Sequence, residues 1–391
     1  MNIHLRKFSK NRIDEMPFEY LRRKEDGNRF SDEIVRNWYI ARAFVLDQFK
    51  EMKVGFEPES NAHLHVIVDG DSPIMLSIVR QVALSAHFIN FQEGSETEEA
   101  LNRTIITLVS KNHSIIKELE KEEYLCHLPH FCKVVNKGQT AENDGYYIDV
   151  EIHIVDDLPI SDKNNMLLFT ESDVAHFCKQ KEREEIFCID TRKAVYTSRI
   201  YDLGLELNNI PAEDIHCAKR YSLALDVFQH IKLKKAVGKM IDETSWERLS
   251  LSRIKEGISN IMCSDCFSLR EESIKRYAKG NDLKTMELWE KYNEALSKSE
   301  HARWVVEKLI MGYRPLNQEE RYHDENLHVQ LKNKEKKKKY RDSLKRVDND
   351  PAHIDICSYR NLRRINPDDL KFDSFLMLAI PKILEKVKEL D

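Results

Sequence analysis

His301 and Trp304 stand three residues apart in Ser299-Glu300-His301-Ala302-Arg303-Trp304, Lys308 follows, and Gly312-Tyr313 closes the segment. Helical positions three and four apart share a face, so this spacing presents an imidazole, an indole and an ammonium together. Imidazole and indole N–H groups donate to anions, and an indole face stacks on a base or holds a cation. A second group of similar chemistry comes later, in His353-Ile354-Asp355-Ile356-Cys357-Ser358-Tyr359, with Leu362 behind it. Two readings stand. Either His301, Trp304, Lys308, Tyr313, His353 and Tyr359 surround a ligand, or the rings pack a helical core with His301 bonded internally and Glu300 and Arg303 facing solvent.

Two other places carry polar side chains where an α/β fold puts ligands. Asp69-Gly70-Asp71-Ser72-Pro73 follows an apolar run, and Gly70, Asp71 and Ser72 form a turn into a helix that Pro73 can start. Asp190, Thr191 and Arg192 follow the run Glu185-Ile186-Phe187-Cys188-Ile189. At a strand end, Arg192 would clamp a phosphate and Asp190 would take a ribose hydroxyl; the alternative is a helix-capping Asp190 or Thr191 beside a surface arginine. Arg220 and Tyr221 on the next helix either complete that pocket or form a structural pair at helical spacing. Cys263-Ser264-Asp265-Cys266 is a lone pair of thiols, whereas a structural zinc needs four ligands. No metal site is expected, and no nucleophile elbow, zinc-protease helix or P-loop is present, so no catalytic residue is assigned.

These residues need elements to hold them. Ser31 caps a predicted helix to about residue 50, bearing Ile34, Trp38, Ala41, Phe44 and Leu46, after a lead-in with Phe18, Tyr20 and Leu21. Strands are expected at 63–68, 103–109 and 147–155, alternating with helices over 73–86 and 113–131. That order implies a parallel sheet with right-handed crossovers, half of a Rossmann-like fold. Further strands are expected at 166–169 and 185–189 around a helix at 172–181. From about residue 210 the pattern is helical, through 246–262, 269–279, 285–312 and 374–390. The division expected is an N-terminal helical arm (1–58), a Rossmann-like domain (59–209), a helical connector (210–284) and a helical tail domain (285–391): α/β followed by α. Residues 332–346 carry nine basic and two acidic side chains, either a solvated helix end or a contact for phosphate-bearing partners.

The tail pattern resembles the ryanodine-receptor (RyR) domain, a small helical repeat of calcium-release channels and of stand-alone prokaryotic proteins. His301 and Trp304 match its first helix, Lys308 and Gly312-Tyr313 its next segment. His353, Ile356, Tyr359 and Leu362 match the element after that, Lys371 and Asp373 the following one, and Ile380-Pro381-Lys382-Ile383-Leu384 the closing helix. Tyr313 replaces a tryptophan, Arg314-Pro315 stands where a Tyr-Gly pair is common, and the insert over 316–352 is longer and more basic. Residues 60–205 resemble the nucleotide-binding TrkA-N domain of potassium-channel regulators, which in prokaryotes is sometimes joined to RyR domains. Of its glycine fingerprint only Gly70 is present; Asp69 and Asp71 would repel a pyrophosphate. Ser110-Lys111-Asn112 stands where that family places a ribose-binding acid.

The resemblances imply a regulatory or sensor protein that binds a nucleotide-type ligand without turnover. An NAD(P)-dependent oxidoreductase with a degenerate glycine loop and a structural self-assembly module are the alternatives. The possible cofactor is a nucleotide or dinucleotide, and a homo-oligomer is expected. Of 391 residues, 41% are hydrophobic and 33% charged, with net charge −5, which argues against general nucleic-acid binding. No apolar run is long enough to span a membrane. Residues 1–7 are basic with no apolar stretch behind them, and the eight cysteines are scattered, so a reducing, cytoplasmic setting without a signal peptide is expected.

Overall fold

A computed structural model describes residues 31–187 and 254–389 apart from short internal breaks, together with a few residues on either side of these stretches. Asp190, Thr191, Arg220, Tyr221, Phe18, Tyr20 and Leu21 lie outside the described residues.

The chain forms an α/β fold: a mostly parallel sheet with helices packed against it. Helix α1 (Asp32–Glu51) starts where Ser31 accepts a hydrogen bond from the Ile34 amide, and buries Trp38, Phe44 and Phe49. The sheet follows with β1 (His65–Asp69), α2 (Pro73–Ser85), β2 (Thr104–Val109), α3 (Ile115–Leu119), α4 (Leu128–Phe131), β3 (Lys133–Asn136), β4 (Gln139–Ala141), β5 (Val150–Val155) and β6 (Met166–Thr170). Its strand order is β4-β3-β5-β2-β1-β6. All neighbours are parallel except the β3–β4 hairpin. The chain therefore runs from β1 to β2, passes over the β5 position to the edge hairpin β3–β4, comes back to β5, and then crosses to the other side of β1 for β6. That reversal puts a switch point at the C-terminal ends of β1 and β6, where open α/β sheets hold ligands.

Two expectations change in this region. The single helix expected over 113–131 is two short ones, because Cys126 adopts φ +49, which a helix cannot pass through, and Pro129 restarts the next turn. The segment 185–189 is not a strand: α6 (Arg183–Phe187) follows α5 (Glu171–Gln180). The Glu182 amide donates to the Glu185 carboxylate, a helix-start contact that settles an apolar run too short for periodicity to decide. Arg192 consequently lies in a half-buried helical turn rather than at a strand end. The hairpin went unforeseen, although Lys137 and Gly138 both take positive φ, as its two-residue turn requires.

Alternate strand residues meet α1 and α2 in one core: Leu64, Val66 and Val68, then Ile106 and Leu108, then Ile152 and Ile154. The opposite face carries a polar row. His65 Nε2 lies 2.7 Å from Thr107 Oγ1, and His153 Nε2 lies 2.6 Å from Glu151 Oε1.

The helical half comprises α7 (Ile254–Asp265), α8 (Phe267–Ala278), α9 (Thr285–Lys291), α10 (Asn293–Ile310), α11 (Gln318–Leu331), α12 (Lys334–Leu344), α13 (Tyr359–Ile365) and α14 (Leu370–Glu389). The helix expected over 285–312 breaks at Tyr292 into α9 and α10. Val305, Val306, Leu309 and Ile310 of α10 and Ile258 and Met262 of α7 belong to the same core as the sheet. A second core joins α8, α9 and α10 to α14 through Phe267, Trp289, Leu296, Leu376 and Ile380. The insert 316–352 is a helical pair, α11 and α12, pinned by Arg341 on the nearly buried Asp324 at 2.7 and 2.9 Å. Among the described residues, no helix is long and apolar enough to cross a membrane.

Candidate functional site

At the switch point, Gly70 has φ +121, a conformation that favours glycine, and a side chain there would meet Met75 and Glu171. Asp71 is exposed, and its carboxylate accepts the Ser110 hydroxyl at 2.5 Å. The Asn112 amide donates back to Ser110 Oγ, so the loops after β1 and β2 are tied together. Ser72 precedes α2 without capping it, and its hydroxyl is buried without a partner. Asp69, Asp71 and Glu171 thus gather where a dinucleotide fold needs donors for a pyrophosphate.

The tail brings all six of its expected residues together. His301 is buried; its Nε2 donates to the Cys357 carbonyl at 2.8 Å, and its Nδ1 is 4.0 Å from the Asp373 carboxylate. Burial lowers its pKa, so the ring is neutral at ordinary pH. Its plane is 15° from that of Trp304, with centroids 6.2 Å apart, and it meets Tyr359 edge-on at 5.8 Å. Trp304 also meets His353 edge-on at 4.9 Å, and Tyr313 lies 6.2 Å beyond His353. The His353 ring accepts the Asp355 amide through Nδ1, and burial pushes its pKa down to about 3. On the inner side His301 and Tyr359 are buried, and His301 is bonded internally. The open side is different. From residue 299 to 310, only Trp304 and Lys308 are not fully buried. Lys308 Nζ lies 5.4 Å from the Trp304 ring centroid, and Tyr313 is half-buried next to them.

Glu300 and Arg303 do not face solvent. Both are fully buried, in a chain of alternating charge that the sequence reading missed. Arg270 Nη2 donates to Glu300 at 2.7 Å, and Arg303 donates to both Glu300 oxygens at about 3.0 Å. Arg303 Nη1 then donates to Glu307 Oε2 at 2.5 Å, Ser259 Oγ donates to the same oxygen at 2.8 Å, and Lys308 donates to Glu307 Oε1 at 2.6 Å. Burial by itself would raise the Glu307 pKa, but Lys308 and Arg303 hold it down to about 2. Arg303 and Arg270 likewise keep Glu300 below the usual carboxylate range against the effect of burial. The signal in the sequence was position: Glu300, Arg303 and Glu307 recur at the spacing of the apolar stripe Ala302, Val305, Val306 and Leu309.

Cys263 and Cys266 lie beside this chain. Cys266 Sγ points at the Leu84 and Ser85 carbonyls of α2, and burial raises its pKa to about 12, which leaves it a poor nucleophile or ligand. Among the described residues no group of three or more His, Cys, Asp or Glu side chains could hold a metal ion. The basic run is partly neutralised: Lys337 and Arg341 face Asp324, and Lys339 pairs with Glu335. No family model, curated protein or solved structure matches the chain.

Proposed function

We propose that this protein is a non-catalytic regulatory sensor of a nucleotide-type ligand, bound at the Trp304–Lys308–Tyr313 face of an RyR-like tail. The observation that carries this reading is the pairing of a half-buried indole with an ammonium near its ring, on a helix otherwise buried from residue 299 to 310. An indole stacks on any base, worth about 1–3 kcal/mol per base, and an ammonium is suited to a phosphate. The acidic switch point supports the same choice from the other side, since its carboxylates disfavour a pyrophosphate. A thermal-shift series with mononucleotides, cyclic nucleotides and NAD tests it. The expected outcome is a shift with a nucleotide that survives Gly70→Val and disappears in Trp304→Ala; no shift with any member of the series would overturn it.

A second reading has one specific observation in its favour. The strand order and the positive φ of Gly70 reproduce the setting of a dinucleotide loop. A shift with NAD that is lost in Gly70→Val and kept in Trp304→Ala would put the ligand at the switch point and reopen the oxidoreductase alternative.

A further inference from the structure

The ammonium of the tail face is already engaged inward. Lys308 is 14% exposed at its side chain, and its Nζ sits 2.6 Å from Glu307, which has no exposed surface at all. Glu307 cannot follow the lysine outward. Its other oxygen is held by Arg303 from the same helix and by Ser259 from α7, and Arg303 is itself gripped by Glu300, which Arg270 holds from α8. The carboxylate is therefore fixed by three helices, whereas Lys308 has a flexible four-carbon stem and an open side toward Trp304. An anion arriving on this face meets a cation that has a permanent competitor at its back.

We propose that Glu307 is a built-in competitor for Lys308, and that it makes the face selective for a terminal phosphate monoester over a phosphodiester. This rests on the nucleotide reading of the face. In the free protein Glu307 holds the ammonium against the helix. A bound ligand must draw Lys308 off a carboxylate of charge −1. A phosphodiester offers the same single charge and gains little by the exchange. A phosphate monoester carries about −1.5 to −2 at neutral pH and offers three acceptor oxygens, so it outcompetes the carboxylate. The low proton affinity of Glu307 keeps the competitor charged across the working pH range. Glu307 is thus a positioning residue: it need not touch the ligand, and it sets where the ammonium rests and which anion can move it.

Calorimetric titration of the full chain with adenosine 5′-monophosphate, adenosine 3′,5′-cyclic monophosphate and adenosine tests this. For the wild type the monoester is expected to bind about tenfold tighter than the cyclic diester, the diester little better than the nucleoside. In Glu307→Gln both phosphates should bind more tightly and the ratio between them should shrink, even though the variant melts at a lower temperature. A purely structural Glu307 would instead lose affinity along with stability. Glu307→Asp keeps the charge but draws it back by one methylene, and should change affinity in the same direction by less, which covers a failure of the glutamine variant to fold. Lys308→Met should bring all three probes to one affinity. Equal wild-type affinity for monoester and diester, or an unchanged ratio in a folded Glu307 variant, overturns the inference and leaves the sensor reading standing. Absence of binding by all three probes to wild type overturns the inference, and the sensor reading falls with it only where no member of the thermal-shift series binds either.

Discussion

The switch point of the sheet and the outer face of the tail are opposite answers to one question, where to put charge at a candidate ligand position of the fold. At the switch point the acids stand at the surface: Asp71 and Glu171 are exposed, and a serine hydroxyl is the partner of Asp71. In the tail the charges run inward, from Lys308 through Glu307, Arg303 and Glu300 to Arg270, with the last four wholly buried. The first arrangement sets carboxylates where the topology would place an anion. The second holds a cation between an indole and a buried carboxylate. Topology and chemistry have thus separated, and a fold's usual ligand position is not by itself a site.

The largest expected effect breaks the buried chain. Arg303→Met leaves Glu300 and Glu307 without their shared partner and should cost about 3–5 kcal/mol in urea unfolding. A loss under about 1 kcal/mol would mean that the chain is no more structural than the switch-point acids, and the contrast would fail. Next comes His301→Ala, which removes a buried ring and the bond to the Cys357 carbonyl. It should cost about 2–3 kcal/mol, and a stability close to wild type with lost nucleotide binding would show that the ring belongs to the ligand face.

The tail should also lose stability in acid. Burial pushes the His353 pKa in the folded protein down to about 3, against about 6.5 for an unburied histidine. Its folded value is depressed, so its contribution is full above the unfolded pKa and is lost as pH falls through 6.5 toward 3. The slope is about 1.4 kcal/mol per pH unit, and His353→Gln should lack it. Glu307, with a folded value of about 2, adds a loss of the same sign below about pH 4.5. Ser110→Ala, which unties the two switch-point loops, should cost only about 1 kcal/mol. Smallest of all, Lys339→Ala on the exposed side of α12 should stay within about 0.5 kcal/mol of wild type; a larger change would show that Lys339 does more than pair with the exposed Glu335.

Much of this architecture was legible in the residues. The α1 start at Ser31 follows from a hydroxyl ahead of an apolar stripe, and β1, α2, β2 and β5 follow from apolar runs broken by turn residues. The approach of His301, Trp304 and Lys308 follows from helical spacing, whereas Tyr313, His353 and Tyr359 reach them from outside that helix. Other local signals are weak. Residues 185–189 are apolar enough for either a strand or a helix. Glu300 and Arg303 looked solvent-facing because a lone charged residue in a helix usually is, and only a partner from α8 and another turn of α10 make their burial tolerable. The polar row on the second face of the sheet had its own sign, since His65 and the pair Glu151 and His153 alternate with apolar residues in strands that a fully covered parallel sheet would make apolar throughout.

By itself, then, the sequence determined what depends on neighbours along the chain: caps, turns, strand and helix periods, and which rings share a helix face. The tertiary structure alone decided which of those rings stay open, that a carboxylate stands behind Lys308, and that the charges of α10 close on residues from α7 and α8. The reason is range. Backbone preferences and periodicity act over a few residues, whereas burial and ion pairing are set by whatever the fold brings within a few ångströms, as it brings Ser259 and Arg270 to α10.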